Sequence, residues 1–280
     1  MDLITLRRRI ARTRLATVAA LPVRVSVVAK HDARVLGRSA RWLATSREHT
    51  NFTYHLTPRN LDHLAWWTAG ITGTTVDQTR GWIAEALDDA ELSAHVQRET
   101  AASARRRLAD RDVRLGRRLG WYAIVRALRP EHVVETGTDK GLGSVVLAAA
   151  LLRNGRGRLT TVDINPESGY LVTGRYAEVV DRVIGDSVET VGSLGFPVDV
   201  FLHDSWHTLE YETAELDAVA PRLSAGAVVL SDNAHETDAL STWAERTGRR
   251  FTFFREEPLE HWDPGAGIGA AWNPESRGLG

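Results

Sequence analysis

The rhythm of apolar and polar positions changes at Pro130. Before it, apolar residues recur at helical spacing. Thr57-Pro58 signals a helix start, followed by Leu61, Leu64, Ala65 and Trp66 along the next turns. A second helix is expected from Thr75 or Asp77, with Trp82, Ile83 and Leu87 on one face. A third is expected from about Ala90 through the arginine-rich segment 105–118. The segment 121–128 ends at Arg129-Pro130, because proline lacks an N–H and disfavours helical backbone in the residue before it.

After Pro130, short β-rich runs alternate with helical ones. Strands are expected at 132–135, 159–163, 181–185, 198–203, 227–231, 251–255 and 268–272, with helix-like segments at 143–152 and 211–223. That alternation predicts an α/β fold: a Rossmann-like, doubly wound sheet of about seven mostly parallel strands, preceded by an α-helical N-terminal region. Ligands on such sheets bind beyond the carboxyl ends of the strands.

The first 47 residues carry eleven Lys or Arg against two acids, although the whole chain has a formal net charge of only −1. The balance favours no nucleic-acid partner. The N-terminal alternation, as in Leu3 to Ile10, reads as a basic amphipathic stretch. It could lie against an anionic membrane or pack one face on the protein body. Residues 15–29 approach a signal-peptide core, but Arg24 interrupts them and no small-residue cleavage site follows. With no cysteine in the chain, disulfides and thiolate chemistry are excluded, which suits a cytoplasmic setting. The domain expectation is a basic segment at 1–47, a helical lid or interface region at 48–120, and a catalytic domain at 121–280.

The strongest local signal is Val133-Val134-Glu135-Thr136-Gly137-Thr138-Asp139-Lys140-Gly141-Leu142-Gly143, a strand running into a glycine-rich turn and then a helix. Glycines are needed where backbone approaches a ligand closely or takes positive φ. The spacing differs from the dinucleotide fingerprint G-x-G-x-x-G, whose helix start holds a pyrophosphate. Here an acid precedes the first glycine, which suits a ligand bearing an ammonium group. Asp163 ends the second strand, where a carboxylate can accept from both ribose hydroxyls. The third strand ends in Gly185-Asp186-Ser187, placed to read an adenine edge.

The three strand ends together resemble the class I S-adenosylmethionine (SAM)-dependent methyltransferases, over about residues 121–272. The resemblance implies that Glu135, Gly137, Gly141 and Gly143, with Thr138 in the same turn, surround the methionine part of SAM. It implies that Asp163 holds the ribose, and Asp186 with Ser187 the adenine.

The fourth strand runs into His203-Asp204-Ser205-Trp206-His207 and the fifth into Ser231-Asp232-Asn233. Asp204, Asp232 and Asn233 form an all-oxygen set suited to Mg²⁺ or another divalent cation, which could orient an acceptor hydroxyl. The pattern is similar to metal-dependent O-methyltransferases of the catechol and caffeoyl-CoA type, except that His207 stands where those carry a lysine. Asp204-Ser205-Trp206-His207 is closer to the D-x-x-H of macrolide-sugar and cephalosporin-type enzymes, in which histidine is the implied base. Those relatives carry Glu-Asp where this chain has Asp232-Asn233. Histidine suits the role because its ordinary pKa leaves it largely neutral at physiological pH. His203 and His235 are alternative metal ligands, and Trp206 a candidate wall of the acceptor pocket. The fourth strand lacks the Asn/Asp-Pro-Pro-Tyr of many amino-methylating enzymes, which favours a hydroxyl acceptor.

The expectation is therefore SAM-dependent O-methylation of a small-molecule hydroxyl, on a sugar or natural product, with His207 as base and a divalent cation. The alternatives are metal-free transfer by His207 alone, or a SAM-binding interaction protein without activity. A homo-oligomer and peripheral membrane contact through the basic N-terminus complete the expected partners.

Overall fold

The structure, a computed structural model, describes residues 15–49 and 52–274. The expected alternation at Leu3–Ile10, and Asn51 of the Asn51-Phe52-Thr53-Tyr54 segment, lie outside the described residues. The chain divides into two compact units, Met1–Ser46 with Glu260–Asp263, and Arg47–Leu259 with Pro264–Gly280.

The first unit is built on helix α1 (Leu15–Thr45), which continues through Pro22. Lys30, Arg34, Arg38 and Arg41 recur every three or four residues along one side. Val18, Leu21, Val25, Val28, Leu36 and Leu43 are exposed. Trp42 meets Trp262 at 5.4 Å between ring centroids, and Arg41 pairs with Glu260 at 3.5 Å. Among the described residues no helix is long and apolar enough to cross a membrane.

The second unit opens with α2 (Pro58–Thr72), α3 (Val76–Leu87), α4 (Ala90–Ala102) and α5 (Arg118–Leu128). Thr57 caps α2, its hydroxyl accepting from the N–H of Asn60 at 3.2 Å, and Gly73 ends the helix at φ 72°. Thr75 and Gln78 form a reciprocal capping box on α3, so of the two candidate starts Thr75 is the cap. The third expected helix is corrected. It stops at Ala102, where Ser103 turns extended (ψ 157°), and the following arginine run forms turns. Gly116, at φ 51°, then redirects the chain into α5.

The α/β part follows as β1 (His132–Thr136), α6 (Leu142–Asn154), β2 (Arg158–Asp163), α7 (Gly174–Ala177), β3 (Val180–Ile184), α8 (Ser187–Gly192), β4 (Val198–His203), α9 (Leu209–Val219), β5 (Leu223–Ser231), α10 (Ala239–Arg246), β6 (Arg250–Arg255) and β7 (Gly267–Trp272). One seven-stranded sheet has the order β3-β2-β1-β4-β5-β7-β6. The first five are parallel, while β7 runs antiparallel to both neighbours. Thus the Rossmann-like expectation holds, with the reversed strand inserted next to β5.

Two expected boundaries shift. The helix expected at 211–223 ends at Val219 and a 3-10 turn, Ala220–Arg222, carries the chain into a longer β5. The expected division at 120/121 falls inside α5. Leu64, Ile71, Ile83 and Leu92 from the preceding helices share one core with Trp121, Ile124, Val145 and Leu202. The helical region is thus part of the body that carries the sheet. Burying that apolar surface, at roughly 25 cal/mol per Å², fixes α5 and α6 behind β1 and sets the strand ends above them.

Candidate cofactor and active site

A cavity of about 420 Å³ opens at the carboxyl ends of β1 to β4, a size suited to a small ligand. Gly137, Thr138 and Gly143 form its wall along the first turn. Asp163, Asp186 and Ser187 line it from the second and third strand ends, and Asp204 from the fourth. With Trp206, which also lines it, the structure gathers eight of the residues singled out from sequence around one space.

The glycines have distinct physical reasons. Gly137 takes φ 87°, and a Cβ there would sit 1.9 Å from the Asp204 carbonyl oxygen. The Asp204 N–H donates to the Thr136 carbonyl at 2.9 Å, so the turns after β1 and β4 are pressed together. Gly143 is required by packing, since a Cβ would lie 2.4 Å from Glu135 Oε1. Gly141 does not face the cavity. Its φ is 89°, and a Cβ would meet Val172 and Gly169, so it seats the turn on a neighbouring loop.

Glu135 is also corrected. Its side chain lies beneath the start of α6, accepting hydrogen bonds from Ser144 and, at 2.8 Å, from Thr161. Burial pushes its pKa up to about 7, against the opposing effect of those two hydroxyls. It supports the turn from below and is not part of the cavity wall. Arg118, which the sequence reading missed, does line the cavity, as does Lys140. Arg118 is 3% exposed, its guanidinium 5.5 Å from the Trp121 ring. The signal available in the sequence was only an Arg-Arg pair at a helix start.

Asp163 is pre-oriented by backbone. Its Oδ2 accepts from the N–H of Asp139 and its Oδ1 from the N–H of Asn165, each at 2.8 Å. Each oxygen keeps a lone pair for a ligand hydroxyl. Asp186 caps α8 through the N–H of Glu189 at 3.0 Å and accepts from the Tyr211 hydroxyl at 3.2 Å. The Ser187 hydroxyl is committed to Glu215, leaving its backbone as the part that can meet a ligand.

At the Asp204 end of the cavity, Asp204, His207 and Asp232 offer ligand atoms that all lie within 4.8 Å of one another. His207 Nε2 is 3.8 Å from Asp204 Oδ1, beyond hydrogen-bond length, and Nδ1 has no hydrogen-bond partner. Burial lowers the pKa of His207, leaving it neutral near pH 7. His207 is part-buried beside Asp204 rather than on the cavity wall itself. Asn233 follows in a left-handed turn at φ 50°, with its carbonyl accepting from Glu236 N–H at 2.8 Å.

The buried residue Asp232 has a partner that sequence did not disclose. Both its oxygens accept from Arg117, through Nε and Nη2. Arg117 Nη1 donates to Glu256 at 3.2 Å, and Glu256 accepts from the Arg117 N–H at 2.9 Å and the Tyr54 hydroxyl at 2.8 Å. Burial opposes both charges, yet the Arg117 guanidinium holds Asp232 down at about 2. Burial, with the adjacent Asp232 charge, pushes Asp204 well above the carboxylate range.

This donor set fits a divalent cation poorly. A hard cation seeks several ionised or carbonyl oxygens. Here burial disfavours the ionised form of Asp204, and the Asp232 carboxylate is forked onto a guanidinium. His203, expected as an alternative ligand, is fully buried with its Nδ1 bonded to Glu215 at 2.6 Å, and the clustered ligand atoms come from Asp204, His207 and Asp232 without it. His235 instead lies 3.2 Å from Glu236.

Residues 134–234 match a family model described as a methyltransferase domain. The chain carries a methyltransferase domain. No curated protein matches the chain in sequence. Solved structures similar to the methyltransferase domain include cofactor-bound Rv0187 from MTB, at 20% identity and TM-score 0.51, covering 66% of this chain and 90% of that one. The O-methyltransferase TomG from Streptomyces achromogenes, solved with SAM, has 19% identity, TM-score 0.50 and the same coverages. An O-methyltransferase from Bacillus cereus, solved with SAH, has 15% identity and TM-score 0.50, covering 70% of this chain and all of that one. At these identities the similarity concerns the fold.

Proposed function

We propose that the chain methylates a hydroxyl of a small molecule, with SAM in the cavity and His207 as the base. The observation that carries this reading is one cavity shared by Gly137, Asp163, Asp186 and Asp204, with a neutral histidine beside its Asp204 end. SAM suits that cavity in chemical terms. Asp163 has free lone pairs for ribose hydroxyls, Asp186 for an adenine amino group, and Arg118 a charge for the methionine carboxylate. Bound there, SAM would supply an electrophilic methyl group on a good leaving group.

The remaining work falls to this chain's side chains. The transfer needs an aligned acceptor and an acceptor oxygen relieved of its proton. His207, kept neutral by burial, accepts that proton. Trp206, 69% exposed and lining the cavity, offers an apolar face to the acceptor. Because the aspartates do not fit a metal site, we favour transfer without a divalent cation. The acceptor class, a sugar or other polyhydroxylated natural product, is supported by the Asp204-Ser205-Trp206-His207 sequence at the end of β4.

The test is transfer of labelled methyl from SAM to a panel of small hydroxylated and amino compounds. Label is expected on hydroxyl acceptors, with turnover by His207→Ala reduced roughly 10²-fold or more and affinity for S-adenosylhomocysteine nearly unchanged. Label on amines, or full turnover by His207→Ala, would overturn the reading. A protein that binds the cofactor and labels nothing would instead be a binding module.

A further inference from the structure

We infer that Arg117 stands in this site where a divalent cation would otherwise be held, so that the protein has a built-in positive charge and takes up no metal between Asp204 and Asp232. The inference rests on the methyl-transfer reading for its meaning, but metal binding can be measured separately from transfer.

The geometry is specific. Asp204, His207 and Asp232 are close enough to share an ion, with ligand atoms within 4.8 Å of one another. The Asp232 carboxylate, however, receives Arg117 side-on, one nitrogen to each oxygen. That fork is the arrangement in which a guanidinium satisfies a carboxylate best. The third nitrogen is held by Glu256 at 3.2 Å, and the Glu256 carboxylate also grips the Arg117 backbone N–H and the Tyr54 hydroxyl. Arg117 is 6% exposed and held from both sides, by Asp232 and by Glu256.

An ion entering beside Asp232 would face a permanent positive charge already bonded to its principal ligand. A guanidinium does not dissociate and does not lose its charge at any physiological pH. The site thus keeps Asp232 ionised independently of metal supply. Arg117 is a positioning residue here, acting on the site through Asp232.

The experiment is a Mn²⁺ titration of the full chain followed by electron paramagnetic resonance, with and without S-adenosylhomocysteine. Wild type is expected to leave the free Mn²⁺ signal unchanged. Arg117→Gln is expected to gain a bound-Mn²⁺ signal, which Asp232→Asn added to it abolishes. Arg117→Lys, which retains a cation, is expected to behave as wild type. Bound Mn²⁺ in wild type that Asp232→Asn removes would overturn the inference. A folded Arg117→Gln protein without bound Mn²⁺ would do so as well. If Arg117→Gln does not fold, the comparison of wild type with Asp232→Asn decides alone. Failure of wild type to bind S-adenosylhomocysteine would count against the functional reading, and the Mn²⁺ result without ligand would still stand.

Discussion

His203 Nδ1 and Glu215 Oε2 are 2.6 Å apart with both side chains wholly out of solvent, directly beneath the end of β4. Glu215 also accepts from the hydroxyls of Thr136 at 2.8 Å and Ser205 at 2.7 Å, and from Ser187. One carboxylate of α9 therefore ties together residues following β3 and β4 and the last residue of β1. Glu215→Ala should cost roughly 3–5 kcal/mol, because the partners are left buried and unpaired. Thermal melting should fall by on the order of 10 °C. Although burial raises its pKa, the bond from His203 and the surrounding hydroxyls leave Glu215 below the ordinary glutamate value. Its contribution is thus present above the unfolded pKa and lost as pH falls through the folded one. Wild type and mutant melting points should converge on acidification; a constant gap would contradict this.

Glu135 should show the opposite sign. Its folded pKa of about 7 exceeds the unfolded 4.5, so its stabilising effect is full below 4.5 and lost as pH rises to about 7. At 1.36 kcal/mol per unit the loss is roughly 3 kcal/mol. Glu135→Gln should flatten the decline of melting temperature across that window. Parallel pH profiles would show that Glu135 ionises without penalty.

Two glycine substitutions separate close approach from backbone strain. Gly155 takes φ 66° with nothing within 4 Å of an added Cβ, so Gly155→Ala should cost only about 1–2 kcal/mol and leave ligand affinity intact. Gly137→Ala adds a collision with the Asp204 carbonyl to the same strain. It should weaken S-adenosylhomocysteine binding markedly, since the turns after β1 and β4 must separate. Equal effects at both positions, measured by melting and calorimetry, would contradict the close approach.

Trp206 is 69% exposed, and its replacement should change stability by no more than about 0.5 kcal/mol. Trp206→Ala should raise KM for the acceptor while KM for SAM stays constant. A rise in both would mean that Trp206 holds the cofactor.

Much of this architecture was legible because local chemistry specifies it. Seven β-rich runs, the Thr57 and Thr75 caps, and acids at successive strand ends mark their own positions. The insertion of β7 between β5 and β6 was not legible, because two short strands at the chain's end do not encode which is the sheet edge. Nor was the Arg117 clamp, whose partners Asp232 and Glu256 lie more than a hundred residues away. Glu135 misled for a related reason. Its strand position was right, but alternation along β1 and contact with Ser144 and Thr161 send the carboxylate under the turn. Spacing locates a side chain on an element; packing decides what it touches.

The most direct measurement of the central claim is calorimetric titration of S-adenosylhomocysteine into wild type, Asp163→Asn and Asp186→Asn, with melting curves to confirm folding. Asp163 and Asp186 line one cavity and lie on different strand ends. The expected result is one-to-one binding by wild type, weakened roughly 10- to 100-fold in each variant as a charged hydrogen bond worth about 1.5–3 kcal/mol is lost. Absence of binding to wild type, or binding that neither substitution weakens, would contradict the placement of the cofactor.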